Sequence, residues 1–275
     1  MLSACTLANR DGVEVSDVAC RHPRGRGHTD EQTRGHTIVF IRRGCFVRSA
    51  DGVESLLDPT VAYFMNAGEE QRYDHPHDEG DDCTSLVLHP DLIASLWGGE
   101  LRLPSTPLHT SPEIDLEHRL LLSAGRNGAD PHELVERALM LAASVFEQSD
   151  PRPVASGRPA TIRAQRAVAD GVREILVGNP ERSLPELAHE LAVSPHHLSR
   201  VFRSITGHTI SRQRMRLRAR AALERLAGGE SDLARIAVDV GFADQSHLCR
   251  VIGQETGCTP ATLRHALGLG RDRPN

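Results

Sequence analysis

The segment HLSRVFRSITGHT at residues 197–209 returns as HLCRVIGQETGCT at residues 247–259, with seven of thirteen positions identical. A short amphipathic segment cannot bury its own apolar stripe, so each copy must carry a supporting element beside it. The flanking residues supply one in each case. Ser183 reads as an N-cap, with Pro185 in the first turn and Glu186 three residues on, as in a capping box. The short helix LPELAHEL then breaks at Ala192-Val193, and Ser194-Pro195 starts HHLSRVFRSIT, which stops at Gly207. In the second copy DLARIAVDV (232–240) is the supporting helix, Gly241 makes the turn, and DQSHLCRVIGQET (244–256) stops at Gly257. Leu187-Ala188 aligns with Ile236-Ala237 and Arg200-Val201 with Arg250-Val251, the second turn being one residue longer.

Two short helices joined by a tight turn, twice over, are the pattern of a double helix-turn-helix. Leu198, Val201, Phe202 and Ile205 share the apolar stripe of the first probe helix, and Leu248, Val251 and Ile252 that of the second; these are core positions. His196, Ser199, Arg200 and Arg203 fall on the other faces of the first, and Gln245, Ser246, His247 and Arg250 on those of the second, and these eight are the candidate DNA-binding residues.

Charge divides the chain. The net charge is -5, yet residues 1–160 hold 15 Arg against 25 acidic residues, and 161–275 hold 17 Arg against 12. All the basic residues are arginine. Residues 196–225 carry Arg200, Arg203, Arg212, Arg214, Arg216, Arg218, Arg220 and Arg225 against the single acid Glu224, which is the electrostatic footprint of a phosphate-backbone binder, or else a solvated helix face. Between the halves, SDPRPVASGRPAT (149–161) has three prolines and reads as an exposed linker. The expected division is therefore a domain over 1–148, a linker over 149–161 and a helical domain over 162–275.

The ordered set Ala188, Ser194, His197-Leu198, Arg200, Phe202, Gly207, then Ile236-Ala237, Gly241-Phe242, Asp244, Ser246-His247-Leu248, Arg250, Gly257, Pro260 and Arg264 resembles the AraC/XylS family of bacterial transcriptional regulators over about residues 161–267. Ile252 and Gln213 depart from it, standing where the family has aromatic residues, and both read as altered packing. The resemblance implies a long linking helix, about Ser211 to Ala227, that sets the two probe helices into successive major grooves of an operator. It implies that Arg200 and Arg250, with His196, Ser199, Gln245 and Ser246, face base edges, chemistry that suits arginine on guanine and glutamine on adenine. Arg203, Arg214, Arg216 and Arg218 are then candidates for phosphates or for solvent. An intrahelical ion pair is the competing role for Arg200 and Arg250.

The N-terminal half has a different pattern. HTIVFIRRG, CFVRSADGVESLL, TVAYFMNAG and CTSLVLHP are short strands, Asp51-Gly52 is a hairpin turn, and capped helices start at Ser111-Pro112 and Asp130-Pro131. Sheet followed by helices gives an α+β class, an antiparallel β-barrel with flanking helices ahead of an all-α double helix-turn-helix. This order resembles the cupin-like effector-sensing and dimerisation half of the same family. Within it, YDHPHDEGDDC places His75 and His77 on one side of an extended chain with Asp78 near, and these three are the candidate effector residues. Polar residues rimming a barrel mouth are the plainer reading. No metal or other cofactor is expected, His75, His77 and Cys83 being weak metal candidates, and Cys45 and Cys83 are a weaker candidate redox pair.

The implied function is a cytoplasmic, non-enzymatic regulator that binds a double-stranded operator and a small effector of unknown identity, as a homodimer, with RNA polymerase as a further partner and no membrane. The alternative is a metal-binding cupin enzyme, or a metal or redox sensor, fused to a DNA-binding module. No G-x-S-x-G, H-E-x-x-H or phosphate-binding glycine loop supports an enzyme.

Overall fold

In the computed structural model, residues 2–21, 25–27, 35–50, 52–97, 102–149 and 159–267 are described. The N-terminal half begins with strands β1 (Leu2–Arg10), β2 (Val13–Cys20), β3 (Gly25–Gly27), β4 (His36–Arg43) and β5 (Phe46–Ala50). β6 (Val53–Leu57), β7 (Val61–Met65), β8 (Gln71–His75) and β9 (Asp81–Leu88) follow, then helix α1 (Pro90–Trp97), β10 (Leu108–His109), α2 (Pro112–Arg126) and α3 (Pro131–Gln148). Two antiparallel sheets result, in the orders β1-β2-β9-β4-β7-β10 and β3-β8-β5-β6. The chain passes from one sheet to the other between β4 and β5 at Gly44, whose φ of 78° and approach to the Gly80 carbonyl leave no room for a side chain.

Alternation along β4 explains the two cores. Val39 and Ile41 point between the sheets, toward Phe46, Leu57, Val61, Tyr63 and Cys83. Ile38 and Phe40 point the other way, into a larger core with Leu86, Leu88, Leu121, Leu134 and Leu141 that seats α2 and α3 on the sheet. The stripe on α3 is spent on this contact: Leu134, Val135, Ala138, Leu141, Ala142 and Val145 are buried, Leu139 and Phe146 are partly covered, and Met140 remains exposed. Burying the six buried positions stabilises the helix by about 1.5–3 kcal/mol for each large side chain.

Residues 150–158 of the expected linker lie outside the described residues. Its last three do not act as linker, because Pro159, Ala160 and Thr161 open helix α4 (Pro159–Gly178); proline fits a first helical turn, where its missing N–H costs nothing. α5 (Leu184–Glu190), α6 (Pro195–Thr206), α7 (Ile210–Ala227), α8 (Leu233–Asp239), α9 (Gln245–Thr256) and α10 (Pro260–Ala266) complete the chain. α4, α5 and α6 share one core around Leu187, Leu198 and Phe202. α7, α8, α9 and α10 share a second around Leu223, Ile236, Leu248 and Ile252. Among the described residues no helix is long and apolar enough to cross a membrane.

The two halves are docked on one another through α7. Gln213, Arg216, Arg220 and Glu224 recur at helical spacing and form a polar stripe against the N-terminal domain. Gln213 donates to Thr60 Oγ1 at 3.1 Å, Arg216 to the Thr110 carbonyl at 2.7 Å and Arg220 to Thr110 Oγ1 at 3.0 Å. Arg173 on α4 adds a contact to the fully buried Asp58 at 2.8 Å. The opposite charges of the two halves are thus partly satisfied by each other.

Candidate nucleic-acid interface

Each probe helix is built from local signals. The Ser194 side chain accepts from the His197 N–H, and Gly207 ends α6 in the left-handed region at φ 78°. In α9, Asp244 accepts from the His247 N–H and Gly257 ends the helix at φ 69°. The supporting helices start from Ser183, which forms a complete capping box with Glu186, and from Asp232, which caps two N–H groups. Between the helices of each pair the chain needs one left-handed residue. In the second copy it is Gly241, at φ 86°, and in the first it is Ala192, at φ 53°.

Leu198, Phe202, Leu248 and Ile252 are fully buried, Val201 and Val251 are buried, and Ile205 is half-buried. That seating leaves His196, Ser199, Arg200 and Arg203 exposed on α6, and Gln245, Ser246 and Arg250 exposed on α9. His247 is half-buried, its ring edge-on to Phe242 at 5.2 Å. Neither Arg200 nor Arg250 has an acidic partner among the described residues.

The rest of the arginine run behaves differently. Arg212 pairs with Glu255 at 2.6 Å, Arg218 with Glu181, and Arg225 with Glu230 and Asp239, each at 2.6 Å. Arg214 donates to the Arg182 carbonyl at 2.5 Å. Arg216, read from sequence as a phosphate or solvent candidate, is buried against Thr110, and burial together with the neighbouring Arg220 guanidinium pulls it down to about 10. Arg220 is buried with Asp115. A basic stretch in sequence therefore serves largely as internal structure, because α7 lies between the C-terminal half's own acids Glu181, Glu230, Asp239 and Glu255 and an N-terminal domain that supplies Asp115 and Thr110. Gln213, where the sequence departs from the family's aromatic, is fully buried and bonded at 2.7 Å to His208 as well as to Thr60.

The carboxylates at this junction, Asp115 on α2 and Glu224 on α7, are tightly held. Burial raises the Asp115 carboxyl, but Arg119 and Arg220 outweigh it and bring it down to about 2. Burial likewise opposes ionisation of Glu224, and Arg119 and Arg42 more than offset it. Next to this junction, Arg21, Arg42, Arg126, Asp17, Asp82 and Glu224 line a cleft of 370 Å³.

The three candidate effector residues do not converge. β8 ends at His75, so the alternation that would place His75 and His77 on one side stops there. His75 turns inward, is buried, and bonds through Nε2 to Asp81 Oδ2 at 2.9 Å. His77 packs at the end of α4, where a Cβ on Gly178 would lie 3.3 Å from its ring. Asp78 is exposed. Cys83 Sγ donates to Asp81 Oδ1 at 3.4 Å, and burial beside Asp81 pushes its thiol up. Cys45 is also buried, its thiol pushed up by burial and Asp58; neither cysteine is in a disulfide. Sequence reasoning missed Cys20 on β2, which lies 3.7 Å from His75 Nε2. The register that puts Cys20 opposite Asp81 depends on pairing of β2 with β9, and no short-range signal reports it.

A family model described as a helix-turn-helix domain matches residues 187–266. The bifunctional transcriptional activator/DNA repair enzyme Ada of Escherichia coli (strain K12) is 33% identical over 117 residues, 42% of this chain and 33% of that protein. The chain thus spans about a third of the length of this curated relative. Among solved structures, ToxT from Vibrio cholerae O395 aligns over 94% of this chain and 99% of its own at 11% identity, with a TM-score of 0.39. A DNA-binding transcriptional dual regulator from Escherichia coli K-12 aligns over 37% of this chain and 92% of its own at 23% identity, with a TM-score of 0.34. The matched segment contains both probe helices, and residues 187–266 form a helix-turn-helix domain.

Proposed function

We propose that the protein is a sequence-specific DNA-binding transcriptional regulator whose two probe helices read successive major grooves of one operator. The observation that carries this reading is the contrast among its arginines: six of the eight in 196–225 are engaged within the protein, while Arg200, like Arg250, stands exposed without an acidic partner in matched helical positions. A guanidinium held out from a rigid helix suits bidentate recognition of guanine. α7 has 18 residues and spans about 27 Å, enough to hold the helix pairs apart on one side of a duplex. His196, Ser199, Gln245 and Ser246 are the accompanying base readers, Arg203 a phosphate contact, and His247 a packing residue that orients the start of α9.

The N-terminal domain is then the effector-sensing and dimerising part, and its docking on α7 gives an effector something to change, through unequal affinity for docked and released arrangements. RNA polymerase is the further partner of such a regulator. Binding-site selection with the full chain tests the reading. Arg200→Ala and Arg250→Ala each weaken the selected site by about 1–3 kcal/mol and relax preference at different base pairs, about one helical turn apart. Loss of preference at the same base pairs in both variants rejects the two-groove arrangement.

A further inference from the structure

We propose that Cys20, His75 and Asp81 form a binding site for one divalent transition-metal ion of the zinc class. The site is assembled by sheet register. Cys20 at the end of β2 and Asp81 at the start of β9 are directly paired across the strands, and His75 ends β8 in the opposite sheet. The site therefore sits where the two sheets meet at one rim, and all three side chains come from strand termini.

The spacing matches tetrahedral ligation. Cys20 Sγ lies 3.7 Å from His75 Nε2, His75 Nε2 lies 2.9 Å from Asp81 Oδ2, and the three ligand atoms fall within 4.8 Å of one another. With metal–sulfur and metal–nitrogen or –oxygen bonds of about 2.3 and 2.0 Å, tetrahedral edges are about 3.5 and 3.3 Å. The observed separations bracket those values, so small side-chain adjustments close the site. His75 Nε2 has a single position for a proton or a lone pair, yet both a carboxylate oxygen and a sulfur converge on it. A cation at the common point satisfies all three at once. Thiolate and carboxylate together balance a 2+ charge, and a sulfur, imidazole and carboxylate set suits zinc or cobalt over magnesium or calcium. His75 and Asp81 are buried while Cys20 is half-exposed, which leaves a way in and a fourth position for water or another ligand.

Two residues beyond His75, His77 rests on Gly178 at the end of α4, so an ion that fixes His75 also fixes the contact with the DNA-binding half. That the ion acts as the effector rests on the reading of the chain as a regulator; the site itself does not.

The test is titration of chelator-treated full-length protein with Co²⁺, followed by Zn²⁺ displacement. One equivalent of Co²⁺ should give a thiolate-to-metal charge-transfer band in the near ultraviolet that Zn²⁺ removes. Cys20→Ser should abolish the band, Asp81→Asn should weaken Zn²⁺ binding by about tenfold or more, and His77→Ala should keep band and stoichiometry. Wild-type protein that takes up no Co²⁺, or a band that survives in Cys20→Ser, overturns the site, and the wild-type result stands whether or not a variant folds. Operator affinity with and without Zn²⁺ is the separate arm: a tight site with unchanged affinity overturns the effector role alone, and loss of operator binding in every condition overturns the regulator reading while the band keeps the site.

Discussion

Arg119 of α2 donates to the Glu224 carboxylate of α7 at 2.6 Å, across 105 residues of sequence, and the other carboxylate oxygen of Glu224 accepts from Arg42 of β4 at 2.7 Å. Both arginines are almost wholly buried, so this one carboxylate supports two desolvated guanidinium groups. Arg42 keeps Asp17 and Arg119 keeps Asp115 as further partners, so breaking the arrangement leaves two buried guanidinium groups each with part of its compensation gone. Glu224→Ala should therefore destabilise the full chain by about 3 kcal/mol, read by urea denaturation at neutral pH. A loss below about 0.5 kcal/mol, the range of a surface pair, would mean that water reaches both arginines.

Acid should loosen the same junction. Burial, followed by the Arg173 guanidinium, pulls His109 down to about 3, and burial holds His118 at about 3 against the opposing pull of Asp115. Both values lie below the ordinary histidine value, so the unfolded chain takes up protons that the folded one excludes. The stability is complete above about pH 6.5 and falls as pH drops toward 3, by on the order of 2 kcal/mol per histidine at pH 5. Neither ring nitrogen of His118 has a hydrogen-bond partner among the described residues, and its ring stacks on Phe40 at 4.8 Å. His118→Leu should therefore shrink the difference in stability between pH 7 and pH 5 by about 2 kcal/mol. An unchanged difference would mean that the folded chain admits a proton to His118 and would leave the acid sensitivity between pH 7 and pH 5 with His109.

The two turns between paired helices make a reciprocal prediction. Ala192 occupies a left-handed conformation that Gly241 occupies in the other copy. A left-handed alanine costs about 1–2 kcal/mol, and glycine's extra freedom in the unfolded chain takes back part of the gain. Ala192→Gly should stabilise by about 0.5–1 kcal/mol in thermal unfolding. Gly241→Ala should do the reverse and by more, since its Cβ would come within 2.4 Å of Glu181 Oε1 and 3.0 Å of Arg218.

Salt dependence should separate the arginines that sequence groups together. Arg216→Met keeps much of the side-chain volume and removes a guanidinium bonded to Thr110. It should leave the slope of log binding constant against log salt unchanged, while Arg203→Ala should reduce its magnitude by about 1. A reduced slope for Arg216→Met would show that α7 leaves the N-terminal domain when DNA is bound.

Local signals account for what sequence alone determined. The caps at Ser183, Ser194, Asp232 and Asp244 and the stops at Gly207 and Gly257 act over three or four residues, and the apolar periodicity selects which face of α6 and α9 is buried. Strands β4 to β7 and β9 follow from alternation and turns, β8 and β10 do not, and even the unanticipated β1–β2 hairpin carries at Asp11-Gly12 the dipeptide that the sequence repeats at 51–52, with Asp11 and Gly12 both at positive φ. What only tertiary structure decided is where charge is compensated. Arg200 and Arg216 are equivalent members of one basic run, and one stays in solvent while the other is buried, because the acids and carbonyls opposite α7 come from residues some hundred positions away. The same holds for His75, whose neighbours Cys20 and Asp81 are set by strand register and sheet packing: Coulomb forces and ligand geometry act through space, and a linear pattern records only what lies within a turn or two.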